Sequence, residues 1–417
     1  MISFLRTLTF GLTLSSALAK STSSTLYATH YSTSSIYTLT LKQSNNTYSL
    51  AEASSLKTCG RYPSWITLDA STKTLYCSDE YGWRNAGGTV NGSLTTVNVG
   101  EDGSLSEEAV TGTAPGSGVH NIVYEGDGGE KYLAIAHYSG AAVSTYALPL
   151  ENDADPLQVF EFELDTPGEV PDRQEAPHPH QTFLDPTGSF VLVPDLGADL
   201  IRVFAIDKSN GELNACPSLN YTLGGGPRHG VFRTASDSEL RIRGRAPGPE
   251  TVLYVTGELN GEVEAFAVSY PKSGCLSFEQ IDTEIPYPSD LPDGASLSEI
   301  RLVEDDLYVS VRLDSAFGGD DSLARLSLRQ DGKVEFEEIS TSGGVLPRTF
   351  AINKAGDLVA VGNQLSSTVT IVERDPETGA LGEVVAELLV GEPGEPNNLE
   401  VNGNVNVNGM STDMGVR

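Results

Sequence analysis

HPHQTFLDPTGSFVLVPDLGADLIRVFAIDKSNGELNAC (178–216) holds one complete structural unit. HPHQTFLD (178–185) is a β-prone run, and DPTGS (185–189) is a turn. FVLVPD (190–195) is a short apolar strand, and LIRVFAID (200–207) alternates apolar with polar. DKSNGELNAC (207–216) turns into a fourth, more polar strand. Four short strands joined by Gly, Pro and Asp turns are the grammar of a propeller blade.

The second strand of this unit recurs along the chain. LYATHY (26–31), LYCSDE (75–80), YLAIAH (132–137), FVLVPD (190–195), LYVTGE (253–258), LYVSVR (307–312) and LVAVGN (358–363) start 49 to 63 residues apart. Self-similarity at such a period signals a radial array of small sheets. The run before it recurs too, as YPSWITLD (62–69), SGVHNIVYE (117–125), GGPRHGVF (225–232), SLSEIRLV (296–303) and LPRTFAIN (346–353). The pattern predicts an all-β, seven-bladed β-propeller. The chain starts on a second-position strand, and GEPNNLEV (394–401) reads as the missing first one. A C-terminal strand joining the N-terminal blade would close the ring and leave no long open edge. The domain then spans 20–402, with an Asn/Gly-rich disordered tail at 403–417. Residues 233–250 lengthen one connection into a surface loop.

The first residues, MISFLRTLTFGLTLSSALA (1–19), read as a secretory signal: an early Arg6, a short apolar run and an Ala-Leu-Ala cleavage site. Secretion to the extracellular space is therefore expected. Sequons at Asn45, Asn91 and Asn220 agree with export as a glycoprotein. Four cysteines allow three pairings, of which Cys59–Cys77 and Cys216–Cys275 are the sequence-local choice. The formal net charge is −31, which argues against nucleic acid and anionic membranes as partners. A monomer acting on a small anionic molecule is expected. That anion would need a local cluster of Arg and His against the global field.

Such a cluster is visible in the repeats. First and second strands of a blade run antiparallel, so the start of one and the end of the other share a face. The start position carries Ser64, His120, His180, Arg228, Ser298, Arg348 and Asn397. The end position carries Tyr31, Glu80, His137, Asp195, Glu258, Arg312 and Asn363. His178 and His229 flank them. Two rings of polar groups should converge on one channel mouth. Guanidinium groups there can hold carboxylate or phosphate oxygens. A carboxylate beside a histidine in a dry cleft suits general acid–base work. No metal-ligand spacing, Gly-rich phosphate loop or nucleophile elbow is present, so neither metal nor cofactor is expected. A non-catalytic ligand- or polymer-binding propeller is the alternative reading.

PHPHQTFLDPTGSFVLVPDLGADLIRVFAID (177–207), GGGPRHGVF (224–232), LYVTGELNGEVEAFAV (253–268) and GNQLSSTVTIVERDPETGALG (362–382) resemble the seven-bladed propeller lactonase family. That family includes 6-phosphogluconolactonase and the carboxymuconate lactonizing enzyme (carboxymuconate cyclase). The resemblance implies a lactonase or a lactone-forming isomerase, with metal-free acid–base chemistry on an anionic sugar-acid or aromatic-derived substrate. It further implies His180, Glu258, Arg228 and Arg312 as the principal actors. His178 is the alternative to His180 within its motif, and the two rings place His178, His229, His120, His137, Arg348, Glu80 and Asp195 as expected substrate-binding groups around them. At Arg312 the family tends to carry Asn-Arg-Gly, whereas this chain reads Val-Arg-Leu.

Overall fold

The computed structural model describes residues 22–45, 47–82, 84–85, 88–89, 91–113, 115–235, 250–272, 274–391 and 406–407. The expected leader 1–19, most of the connection 233–250 and the segment 394–401 lie outside the described residues. Among the described residues, seven four-stranded antiparallel sheets make the blades, and a two-stranded hairpin, Arg84–Asn85 with Gly88–Thr89, lies in the connection between Thr74–Asp79 and Gly92–Val99. Blade 1 begins with Pro63–Asp69, blade 2 with Gly118–Glu125 and blade 3 with Phe183–Leu184. Blades 4, 5 and 6 begin with Pro227–Thr234, Ser296–Val303 and Pro347–Ile352. Blade 7 combines Thr22–His30, Ser35–Ser44 and Thr47–Lys57 with Asn406–Val407 as its innermost strand.

Closure by a C-terminal strand is thus present, but the described pairing uses Asn406–Val407, not the expected 394–401. Ala28 faces Val407 and Thr29 faces Asn406. Asn406–Val407 lies beyond the expected domain end at 402, inside the run read from composition as a disordered tail.

The apolar core is divided between the blades. Each of seven buried clusters joins two neighbours, and together they run around the whole ring. Leu26, Leu39 and Ala28 pack on Val369 and Ile371 between blades 7 and 6. Ile36 and Tyr27 pack on Ile66 and Cys77 between blades 7 and 1. Alternation explains this: each strand buries one face against the blade before and the other against the blade after. The recurrent tyrosines add staples. Tyr254 donates to the Gly332 carbonyl of the next blade at 2.9 Å, and Tyr308 donates to Gly379 at 2.6 Å. Tyr124 does the same to Gly211, whose φ of 76° and closeness to the Tyr132 ring leave no room for a Cβ. Both sequence-local disulfides are formed, Cys59–Cys77 and Cys216–Cys275.

One local irregularity builds the channel. In blades 1, 2, 4 and 6 the innermost strand skips a residue in its pairing, at Ser64, Val119, Arg228 and Arg348. Blade 5 skips both Ser298 and Glu299. A bulge re-aims side chains and ends regular pairing. Here it turns consecutive residues toward the axis.

Candidate active site

The same register fixes which strand-end residues are equivalent. Pro63 pairs with Asp79, Gly118 with His137, Pro179 with Asp195, Pro227 with Gly257, Leu297 with Val311 and Pro347 with Asn363. The next residue in each blade is therefore Glu80, Tyr138, Leu196, Glu258, Arg312 and Gln364. Five of these six, with Tyr31 of blade 7, line a cavity of about 620 Å³ at one channel mouth. Leu196 is the exception. His180, Arg173, Arg348, Tyr62, Ser117 and Ser296 complete much of its wall.

His137, Asp195 and Asn363 therefore sit one residue too early for the site. Side chains alternate along a strand, so a one-residue slip turns the group away. Asp195 is fully buried, accepts the His178 and Ala198 amides and pairs with Arg202 at 2.7 Å. His137 bonds Ser144 at 2.7 Å inside its blade, and burial pushes its imidazole down to about 4. Asn363 bonds Ser342, Thr368 and Thr370. These groups tie loops and strands together. His178 stacks on Tyr138 at 4.2 Å and faces a second, adjoining chamber. Asn397 lies outside the described residues.

Glu258 is the electrostatic centre. Its carboxylate lies 2.8 Å from Arg228 Nε, 3.2 Å from Arg312 and 2.5 Å from Arg173. Burial would raise its pKa. Arg312, Arg228 and Arg173 outweigh that and hold the carboxyl well below the usual range. Glu258 is thus ionised at neutral pH and a weak base. Arg228 is 1% exposed and sits behind Glu258, not on the cavity wall. Burial first, then Arg312, push its guanidinium down to about 9, with Glu258 opposing. Arg228 Nη1 and Arg312 Nε carry no hydrogen bond among the described residues. Across the cavity, Glu80 accepts from Tyr31, Ser64 and Arg348. Four guanidinium groups thus face two carboxylates, leaving about two positive charges in a protein of net charge −31.

Arg173 carried no signal in the repeats. It lies in the irregular run between Gln158–Glu161 and Phe183–Leu184. Its neighbour Gln174 is fully buried and pins the loop by donating to the Leu196 carbonyl and Asp199. His180 is buried, and Nδ1 lies 3.2 Å from His229 Nε2. Burial, then Arg228, lower the His180 pKa well below its ordinary value, so the ring is neutral. The His120 ring lies tilted against Trp65, centroids 3.9 Å apart, and meets His229 edge-on with centroids 5.6 Å apart, behind the cavity wall. Among the described residues no group of three or more His, Cys, Asp or Glu could hold a metal ion.

The geometry offers a neutral imidazole, an arginine cluster and a closed carboxylate in one recess. The family described as lactonase, 7-bladed beta-propeller, matches residues 25–396. The chain is 34% identical to a probable 6-phosphogluconolactonase of Arthroderma benhamiae, covering 76% of this chain and 75% of that one. It is 27% identical to 6-phosphogluconolactonase of Bacillus subtilis, covering 76% and 82%. A periplasmic gluconolactonase from Pseudomonas aeruginosa superposes with a TM-score of 0.72 at 24% identity, covering 90% and 98%, which supports the fold. The chain belongs to the seven-bladed β-propeller lactonase family.

Proposed function

We propose that this lactonase-type enzyme hydrolyses a lactone carrying an anionic group, with His180 as general base. The observation that carries the reading is the single recess shared by His180, Arg173, Arg312 and Arg348. The carboxylate of Glu258 on two of those guanidiniums supports their fit to an acid group. In the proposed sequence, His180 Nε2 takes a proton from water as its oxygen bonds to the lactone carbonyl carbon. Arg312 faces the oxyanion of the tetrahedral intermediate. The ring C–O bond then breaks, and its oxygen takes the proton back from His180, giving the hydroxy acid. Glu258 stays ionised and orients the arginines, so proton transfer falls to His180 alone.

A sugar-acid lactone is favoured by the relatives' names, and 6-phosphoglucono-δ-lactone is the first probe. The test is pH-stat turnover against glucono-δ-lactone, corrected for spontaneous hydrolysis. The reading expects kcat/KM to favour the phosphorylated lactone and to fall at least tenfold for it in Arg312→Gln. No turnover of either lactone sinks the reading.

Export is part of the proposal. Both disulfides and three solvent-exposed sequon asparagines, Asn45, Asn91 and Asn220, suit an oxidising secretory route. A mass shift on endoglycosidase treatment of the secreted protein tests it.

A further inference from the structure

Behind the cavity wall lies a fully buried carboxylate that the repeats did not single out. Glu299 sits in the blade 5 bulge and is 0% exposed. Its Oε1 is 3.1 Å from His229 Nδ1, and His229 Nε2 is 3.2 Å from His180 Nδ1. We propose that Glu299 and His229 form a positioning relay, which fixes the tautomer of His180 and presents its Nε2 lone pair to the substrate. The relay rests on the reading of His180 as general base.

Each proton assignment follows from the one before it. Glu299 is ionised: burial opposes this, but the Arg301 charge and the hydrogen bonds from His229, Thr349 and the Ile300 amide favour the anion. An ionised carboxylate only accepts, so His229 Nδ1 must carry hydrogen. Burial pushes His229 down to about 4, partly countered by Glu299, so its ring is neutral and Nε2 is bare. The bare Nε2 must accept, so His180 Nδ1 carries hydrogen. His180 is neutral too, which leaves its Nε2 unprotonated. A carboxylate that orients a histidine tautomer is known to matter greatly in hydrolases.

Glu299 also meets other groups. Arg301 lies 3.5 Å away, Thr349 donates to Oε2 at 3.2 Å and the Ile300 amide donates to Oε1. The charges facing Glu299 and His229 are Arg301 and Arg228, those facing His180 are Arg228, Arg348 and Arg312, and His120 and Tyr138 are the other titratable neighbours. These contacts hold the carboxylate rigid and leave His229 as its one imidazole partner among them. A purely structural carboxylate would also satisfy Arg301 and Thr349. It would not set the basicity of His180.

The test compares Glu299→Gln, Thr349→Val and His180→Gln in the full enzyme, using 6-phosphoglucono-δ-lactone. A Gln side chain can offer either its oxygen or its amide to Nδ1, so the tautomer is no longer imposed. The relay expects kcat to fall about 10²-fold with KM within about threefold. It also expects the acid limb of kcat/KM to move to lower pH, because the anion that raises histidine basicity is gone. Thr349→Val loosens one contact to Oε2 but keeps the anion, so the acid limb should stay at the parent's pH, and a limb that moves as far as in Glu299→Gln counts against the relay. A folded Glu299→Gln enzyme with unchanged kcat and an unmoved limb overturns the relay. If Glu299→Gln does not fold, the same two readouts on His229→Gln decide it. Unchanged turnover in His180→Gln instead removes the general-base reading itself.

Discussion

Replacing Glu258 by Gln keeps the shape of the side chain and removes one charge from between three guanidiniums. The carboxylate sits 2.8 Å from Arg228, 3.2 Å from Arg312 and 2.5 Å from Arg173, and it is buried. Removing one partner of a buried ion pair costs about 3–5 kcal/mol. A domain of this size has an unfolding entropy of about 0.8 kcal/mol/K, so Tm should drop by about 4–6 °C. The sign with pH follows from the lowered pKa. Stabilisation by the carboxylate is fully present above its unfolded value of about 4.5 and is lost as pH falls through the lower folded value. The gap between parent and variant should hold from pH 8 to 5 and narrow only in stronger acid. The freed guanidiniums should also bind an anionic product more tightly, by about tenfold, since a competing charge-assisted bond is gone. Differential scanning fluorimetry and calorimetric titration with 6-phosphogluconate measure both. An unchanged Tm at pH 7, or weaker product binding, would refute the view of Glu258 as an ionised clamp.

Two further outcomes concern the frame. Tyr254→Phe removes the hydrogen bond to Gly332 and should cost about 1 kcal/mol, read as a Tm drop of about 1 °C with unchanged activity. A larger loss would mean that the hydroxyl does more than join blades 4 and 5. His137→Asn places the residue that blade 6 carries at the equivalent Asn363. The depressed pKa of His137 gives stability that is present above about 6.5 and lost as pH falls toward about 4. The variant should lose about 3 kcal/mol of that acid sensitivity in urea unfolding followed from pH 7 to pH 4. An identical pH dependence in parent and variant would count against a buried neutral imidazole.

The repeat pattern made the blades legible, because each run of about six residues states its own two-residue period. It also exposes Glu80, His180, Glu258, Arg312 and Arg348, which line one mouth, and Arg228, which backs Glu258 from behind the wall. Phase was harder. In blades 2, 3 and 6 an extra apolar residue, Tyr132, Phe190 or Leu358, precedes the run. Alignment on that residue points to His137, Asp195 and Asn363 in place of Tyr138, Leu196 and Gln364. The correct phase is set by the cross-strand partner, which the sequence does not print. Glu299 was readable in principle, since it follows Ser298 as His229 follows Arg228. Arg173 was not, because its loop has no repeat to be compared with. Its position depends on the buried hydrogen bonds of Gln174.

The most direct measurement is a crystal structure with 6-phosphogluconate bound. The account predicts an acid group of the product within hydrogen-bond distance of Arg312 and of Arg348 or Arg173. The carboxylate carbon formed from the lactone should lie beside His180 Nε2. Product bound in the chamber beside His178, or anywhere outside the recess between Glu80 and Glu258, would contradict it.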